Sequence, residues 1–124
     1  MQDTELYITD LLTTDATLLA LVGDATHISS VYPEKITLFP YIVYREENQI
    51  DTKFKDDFPS ASISEYIVDI FVKENDTYPI AKAVYDIFFP LNWVCDYSSN
   101  VPDPDIRVQH RTMRFSRLLM AGDI

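Results

Sequence analysis

Two spacings of hydrophobic residues recur along the chain, and they predict different elements. In residues 3–23 apolar side chains recur three or four positions apart, which is typical of an amphipathic helix. A break is predicted near Thr14, where TTDAT interrupts the pattern and Asp15 restarts it. Gly23 fits the position just past the helix end. The apolar positions of this stretch are Leu6, Tyr7, Leu11, Leu18, Leu21 and Val22.

Alternation with a period of two predicts the strands. The short piece HISSVYPEKI is extended, and FPYIVYREEN is a strand that runs from the core toward solvent. SISEYIVDIFVKE alternates most regularly. We expect its core face to be Tyr66, Val68, Ile70 and Val72, with Glu65, Ile67, Asp69 and Phe71 on a mixed face.

Residues 49–61 show no sustained period and are rich in charge, serine and proline. A long segment without a period is typical of a loop, and such loops are often functional or mobile. We therefore predict a mobile loop over residues 49–61.

The rest of the chain predicts a second helix and two more strands. NDTYPIAKAVYDIFFPL is a helix that ends at Pro90, with an apolar stripe at Ile80, Val84, Ile87 and Phe88. NWVCDYSS and IRVQHRTMRFSRLL are strands joined by a turn, and residues 120–124 form a tail. This order predicts one α+β domain over residues 1–124. It has two layers: a mostly antiparallel sheet of four to five strands, and two main helices packed on one face.

Composition agrees with a single folded domain. The chain has 124 residues, of which 47% are apolar, and its one cysteine, Cys95, permits no internal disulfide. No apolar run is long enough to span a membrane, and the first residues lack the basic start of a signal peptide. We expect a soluble, cytoplasmic protein that does not bind membranes.

The net charge of −10 is unevenly distributed. Residues 101–124 carry +1, which leaves −11 on the first hundred residues. A body this acidic repels phosphate backbones, so direct binding of nucleic acid is not expected. The C-terminal arginines are a local exception.

Candidate catalytic chemistry is sparse. The two glycines, Gly23 and Gly122, are too far apart for a phosphate-binding loop, and no residues have metal-ligand spacing, so no cofactor is expected. If the chain does have a catalytic or ligand-binding role, the candidate is a small hydrolase or ligand-binding subunit that uses Glu46, Asp69 and His110.

The arginines are the strongest candidates for an interaction surface. On an ideal strand Arg107, Arg111 and Arg117 share one face and Arg114 lies on the other. Their counter-charges are Glu65 and Asp69 of the same sheet, or acids of a neighbouring copy, and the sequence leaves both readings open. The candidate assembly interface comprises Arg107, Arg111, Arg114 and Arg117, together with Lys53, Lys55, Asp56 and Asp57 of the predicted loop.

Five stretches together resemble a known family: LLALVGD, VYPEKITLFPYIVY, YIVDIFVKE, IAKAVYDIF and RTMRFSRLL. Their order and spacing, over residues 6–120, are similar to the tail completion, or tail terminator, proteins of long-tailed phages. The resemblance implies a homo-oligomeric ring, expected to be a hexamer, that caps the tail tube and stops its elongation.

The same resemblance implies the partners and the location. These are the tail tube protein on one side and a head completion or connector protein on the other, with DNA passing through the ring. The protein would act in the host cytoplasm during assembly and remain at the head-proximal end of the virion tail. A head–tail connector or another ring-forming adaptor is the alternative.

Overall fold

A computed structural model of the chain describes residues 2–55, 58–120 and 122–123. The described residues form three α-helices and five strands. The helices are α1 (Glu5–Thr14), α2 (Ala16–Val22) and α3 (Tyr78–Phe88), and the strands are β1 (Ile28–Ser29), β2 (Tyr41–Lys55), β3 (Phe58–Lys73), β4 (Val94–Asp103) and β5 (Val108–Met120).

The predicted break in the first helix is confirmed. Asp15 has an extended backbone, and its side chain accepts a hydrogen bond from the Leu18 backbone N–H at 3.0 Å, which caps α2. α1 therefore ends before Asp15, and its buried residues are Ile8 and Leu12. Leu6, which the apolar pattern placed on this face, is 71% exposed, so that assignment is wrong.

Helix α3 follows its predicted stripe closely. Ile80, Val84 and Phe88 are buried against the sheet, whereas Ile87 is only half-buried. Phe88 stacks on Phe115 of β5 with ring centroids 4.4 Å apart, which fixes the helix against the middle of the sheet.

The sheet has the strand order β1-β2-β3-β5-β4. All neighbouring strands are antiparallel except β1 and β2, which are parallel. The three helices pack on one side of this sheet, so the predicted α+β architecture is confirmed.

The prediction of a loop over residues 49–61 is wrong wherever the structure describes this segment. β2 continues to Lys55 and β3 begins at Phe58, so the two strands form one long hairpin. Register shifts after Glu46 and after Asp51 insert extra residues into β2, and these destroy the period of two in the sequence. Residues 56 and 57 lie outside the described residues.

The two faces of the sheet differ in what covers them. The front face, defined as the side that carries Tyr66, Val68, Ile70 and Val72, packs against the helices, as predicted. The opposite side, the back face, is covered at one end by residues 30–40, where the Tyr32 ring meets the edge of Phe71 at a centroid distance of 6.4 Å.

Candidate assembly interface

Where residues 30–40 no longer cover the back face, apolar side chains are exposed. Ile50 lies directly opposite Ile63, and Ile63 lies directly opposite Leu118, so the three residues form a line across β2, β3 and β5. Their exposed fractions are 52%, 38% and 43%. Met120, the next back-face position of β5, is 41% exposed. We call Ile50, Ile63, Leu118 and Met120 the apolar row.

Several front-face residues of β3 and β5 beside the apolar row are fully buried. Ser62, Ser64 and Leu119 have almost no exposed surface. The backbone is therefore held in a well-packed sheet while the back-face side chains meet solvent. Exposed apolar side chains that form a contiguous patch, unlike scattered ones, are typical of protein–protein contact sites.

A polar line borders the apolar row. Asn48, Glu65 and Ser116 lie directly opposite one another on the back face, one position pair further along the same strands. An apolar centre beside a polar margin is the usual anatomy of a protein–protein interface.

Three of the four predicted interface arginines have ion-pair partners within the chain. Arg114 Nε lies 2.8 Å from Asp96 Oδ1, and Arg117 Nη2 lies 3.8 Å from Asp123 Oδ2. Arg107 lies in the turn before β5, with a positive φ of 54°, and Nη1 lies 3.4 Å from Glu74. Its predicted place on the strand face is therefore wrong.

These partners differ from those of the first reading that the sequence left open. In the described residues neither Glu65 nor Asp69 forms an ion pair with an arginine, and the reading with acids of a neighbouring copy stays a prediction. The error arose because the sequence did not place Asp96 and Asp123 beside the arginines. The Arg107–Glu74 and Arg114–Asp96 pairs are exposed to solvent, and pairs of this kind contribute little to stability.

Arg111 differs from the other three, because no carboxylate among the described residues pairs with it. It lies on the front face, where Nε donates to Thr77 Oγ1 at 3.0 Å and Nη1 donates to Ser98 Oγ at 2.9 Å. Its guanidinium is thus fixed between α3 and β4 by neutral acceptors.

Asp69 forms the main buried polar cluster on the back face. It accepts hydrogen bonds from Thr112 Oγ1 at 2.7 Å and from the Tyr32 hydroxyl, and His110 Nε2 lies at 3.0 Å. Burial by itself raises the pKa of Asp69, but these hydrogen bonds outweigh it and lower the pKa below the usual value. Burial and the hydrogen bond to Asp69 raise the pKa of Tyr32.

This cluster does not have the geometry of a catalytic relay. His110 Nε2 faces both Asp69, at 3.0 Å, and Thr112 Oγ1, at 3.3 Å, whereas a relay needs the acid and the nucleophile on different ring nitrogens. Glu46 lies on the front face, where it accepts from Thr4 Oγ1 at 2.8 Å. The structure therefore does not bring Glu46 together with Asp69 and His110. Through Tyr32, the cluster instead attaches residues 30–40 to the back face of the sheet.

Replacing Asp69 with Asn is expected to make the free energy of unfolding less dependent on pH in acid. Because the folded-state pKa of Asp69 is lowered, its stabilising contribution is complete above its unfolded pKa of about 3.9 and disappears as pH falls through the folded pKa. The free energy of unfolding of the variant should therefore fall less between pH 5 and pH 2 than that of the wild type. Urea unfolding across this pH range measures it, and parallel profiles would contradict the role of Asp69.

The remaining candidates from the sequence lie within strands of the sheet or outside the described residues. Lys53 and Lys55 lie on β2, and Asp56 and Asp57 are outside the described residues. Cys95 is half-buried, and burial raises the pKa of its thiol. Among the described residues no three His, Cys, Asp or Glu side chains are grouped so as to hold a metal ion. No helix in the described part is long and apolar enough to cross a membrane.

Comparison with known proteins yields a structural likeness but no relative in sequence. No protein-family model and no curated protein sequence matches the chain. A chain in a solved structure titled "Virion of native gene transfer agent (GTA) particle" is similar to it, with a TM-score of 0.66 and 12% sequence identity over 92% of each chain. At this identity the likeness establishes a shared fold.

Proposed function

We propose that this chain is a structural virion protein that forms a closed ring on the end of a phage tail tube. The observation that carries the proposal is the apolar row on the uncovered back face, which a lone subunit leaves in water. The fold shared with a chain of the gene transfer agent virion and the resemblance to tail terminator proteins support the same function.

A closed ring imposes a geometric requirement on the subunit. Closed rings are built from heterologous contacts, so each subunit needs two different patches. The apolar row is one patch, and a neighbouring copy must supply a different surface to cover it. Opposite charges around such contacts favour head-to-tail pairing over like-with-like pairing.

Because the arginines are paired within the chain, they contribute to the proposed contact between copies as ion pairs and not as free positive charges. Arg114 and Asp96 lie on β5 and β4, near the polar margin of the apolar row that includes Glu65 and Ser116. In the proposed ring they form a charged rim around an apolar centre and select the partner, while the centre supplies most of the binding free energy.

The proposed function is structural and not catalytic. The ring, a hexamer by the family resemblance, ends elongation by covering the last layer of tube subunits, and its other side is the surface for the head completion or connector protein. No cofactor is needed for this function, and DNA passes through the central opening without specific contacts. The protein resides at the head-proximal end of the tail.

The solution mass of the purified protein tests ring formation. The monomer has a mass of 14.3 kDa. At high protein concentration we expect a single larger species, at six times this mass for a hexamer, and added salt should weaken it only in part, because salt screens the charged rim but not the apolar centre. Native mass spectrometry measures this directly. A monomer or a dimer under all conditions, including in the presence of tail tubes, would contradict the proposal.

A further inference from the structure

The free edge of the sheet at β4 carries features of a peptide-binding site, and it lies outside the apolar row. β4 ends the strand order, so its outer edge has no strand partner within the described residues. Its register with β5 is irregular near Asp96 and continuous from Tyr97 to Asp103. Natural edge strands are usually short or guarded by charge, proline or a β-bulge. β4 is ten residues long, and its guards lie toward its ends, at the irregular register near Asp96 and at Pro102, which leaves residues 97–101 without one.

Apolar side chains flank this edge on the back face. Val94, Tyr97 and Val101 are all exposed, with fractions of about half or more. They lie opposite Ser116, Arg114 and His110 of β5, which places them on the back face. A strand added beside β4 would cover them with its own back-face side chains.

On the front face the same edge opens into a groove of about 320 Å³ between α3 and β4. Tyr78 and Tyr85 of α3 form one wall, and Cys95 and Ser98 of β4 form the other. Arg111 lies in this groove, and its Nη1 donates to Ser98 Oγ at 2.9 Å, so the guanidinium reaches over β4 toward the free edge.

The position of Arg111 is set in advance by a chain of hydrogen bonds. Its Nε donates to Thr77 Oγ1, which in turn donates to Asn100 Oδ1 at 2.8 Å. Asn100 Nδ2 then donates to Gln109 Oε1 at 2.8 Å. A cation held in this way, with no carboxylate partner among the described residues, presents a fixed site for an incoming carboxylate.

We infer that β4 and the groove beside it bind an extended, acidic segment of another protein, which adds as a sixth strand and places a carboxylate on Arg111. Neighbouring strands lie about 4.8 Å apart, so a Glu opposite Ser98 on the added strand can reach the guanidinium. Main-chain hydrogen bonds give affinity in this mode of binding, and side chains that enter pockets give specificity.

The chain's own acidic residues are poor candidates for this site. When two sheets join edge to edge, front-face side chains stay on the front, so a second copy would have to offer the front-face acids of β2. These are Glu46, which accepts from Thr4 and Gln49, and Asp51, which also has a partner. The apolar row lies on β2, β3 and β5, away from this groove. These observations favour a segment of a different protein at β4, and a second copy on this edge is an outcome of the test below.

A model peptide tests the inference on the intact protein. The probe is Val-Thr-Val-Glu-Val-Thr-Val, and its counterpart has Gln in place of Glu. Amide NMR of the labelled protein should show shifts confined to β4, α3 and the Arg111 Nε–H. The Glu peptide should bind about tenfold more tightly, because the hydrogen bonds to its carboxylate are charge-assisted. A fully N-methylated peptide, which cannot pair with a strand, should not bind.

Matched variants separate the carboxylate contact from general effects of charge. Arg111→Gln should remove the preference for Glu over Gln. Lys82→Gln, in the same groove but with Lys82 paired to Asp86 at 2.5 Å, should keep the preference. Equal binding of the two peptides to the wild type, binding of the N-methylated peptide, or no shift at β4 would each overturn the inference. So would protection of the β4 amides by a second copy in the peptide-free protein. The three peptide results are independent of whether the ring forms.

Discussion

Replacing Ile63 and Leu118 together with Glu is expected to abolish ring assembly while leaving the subunit folded. The two side chains are 38% and 43% exposed in the subunit, so the carboxylates reach water, and their repulsion across the paired strands should lower the free energy of unfolding by about 1–2 kcal/mol. In the assembled ring the same carboxylates would be buried without a partner, which costs several kcal/mol per charge. Native mass spectrometry should therefore show only the monomer.

A matched pair elsewhere on the surface controls for hydrophobicity and charge. Leu6 and Val31 are 71% and 70% exposed and lie outside the apolar row, and their replacement by Glu adds the same two charges. This control should assemble like the wild type. If the Ile63→Glu, Leu118→Glu variant forms the wild-type species, the apolar row is not the contact between copies.

The replacement Ile70→Ala should destabilise the subunit by about 2–5 kcal/mol, because it removes a fully buried side chain and leaves a cavity under α3. Ile63→Ala is the matched control, since it is the same substitution on the same strand but on the exposed back face. It should cost less than about 1 kcal/mol. Urea unfolding monitored by the fluorescence of buried Trp93 measures both values.

The comparison of the two isoleucines also tests the orientation of the sheet. A change of under half a kcal/mol for Ile70→Ala, or a larger loss for Ile63→Ala than for Ile70→Ala, would mean that the front and back faces are assigned the wrong way round.

The parts of the fold that the sequence predicted correctly are those in which burial on one side dominates. Tyr66, Val68, Ile70 and Val72 alternate without interruption because β3 has no register shift opposite β5. The break at Asp15 was predictable because a capping side chain before an apolar run is a local signal, independent of tertiary contacts.

The hairpin at residues 49–61 was not predictable from pattern. The strands there expose one face, and two register shifts in β2 move side chains from one face to the other. In the amino-acid sequence, the outer end of this hairpin therefore looks like a polar segment without any hydrophobic period. β3 also pairs with β5 as far as Ala61, a contact between residues more than fifty positions apart that no local pattern marks.

The candidate interface was found only in part for the same reason. Ile50 fell within the predicted loop, so its alignment with Ile63 and Leu118 became visible only in the folded sheet. The arginines were identifiable from a charge pattern, but the residues that pair with them, such as Asp96, are brought close by a register shift between Cys95 and Tyr97 that no local pattern marks.

Tail length in particles made without this protein is the most direct test of the proposed function. The gene is deleted from the producing phage or particle, and tails are measured by electron microscopy, with the wild-type gene supplied in trans as the control. We predict tails of irregular, excessive length that lack heads, and restoration of uniform tails with heads by the wild-type gene. Tails of normal length joined to heads in the deletion would contradict a terminator, and tails of normal length without heads would identify a head–tail connector instead.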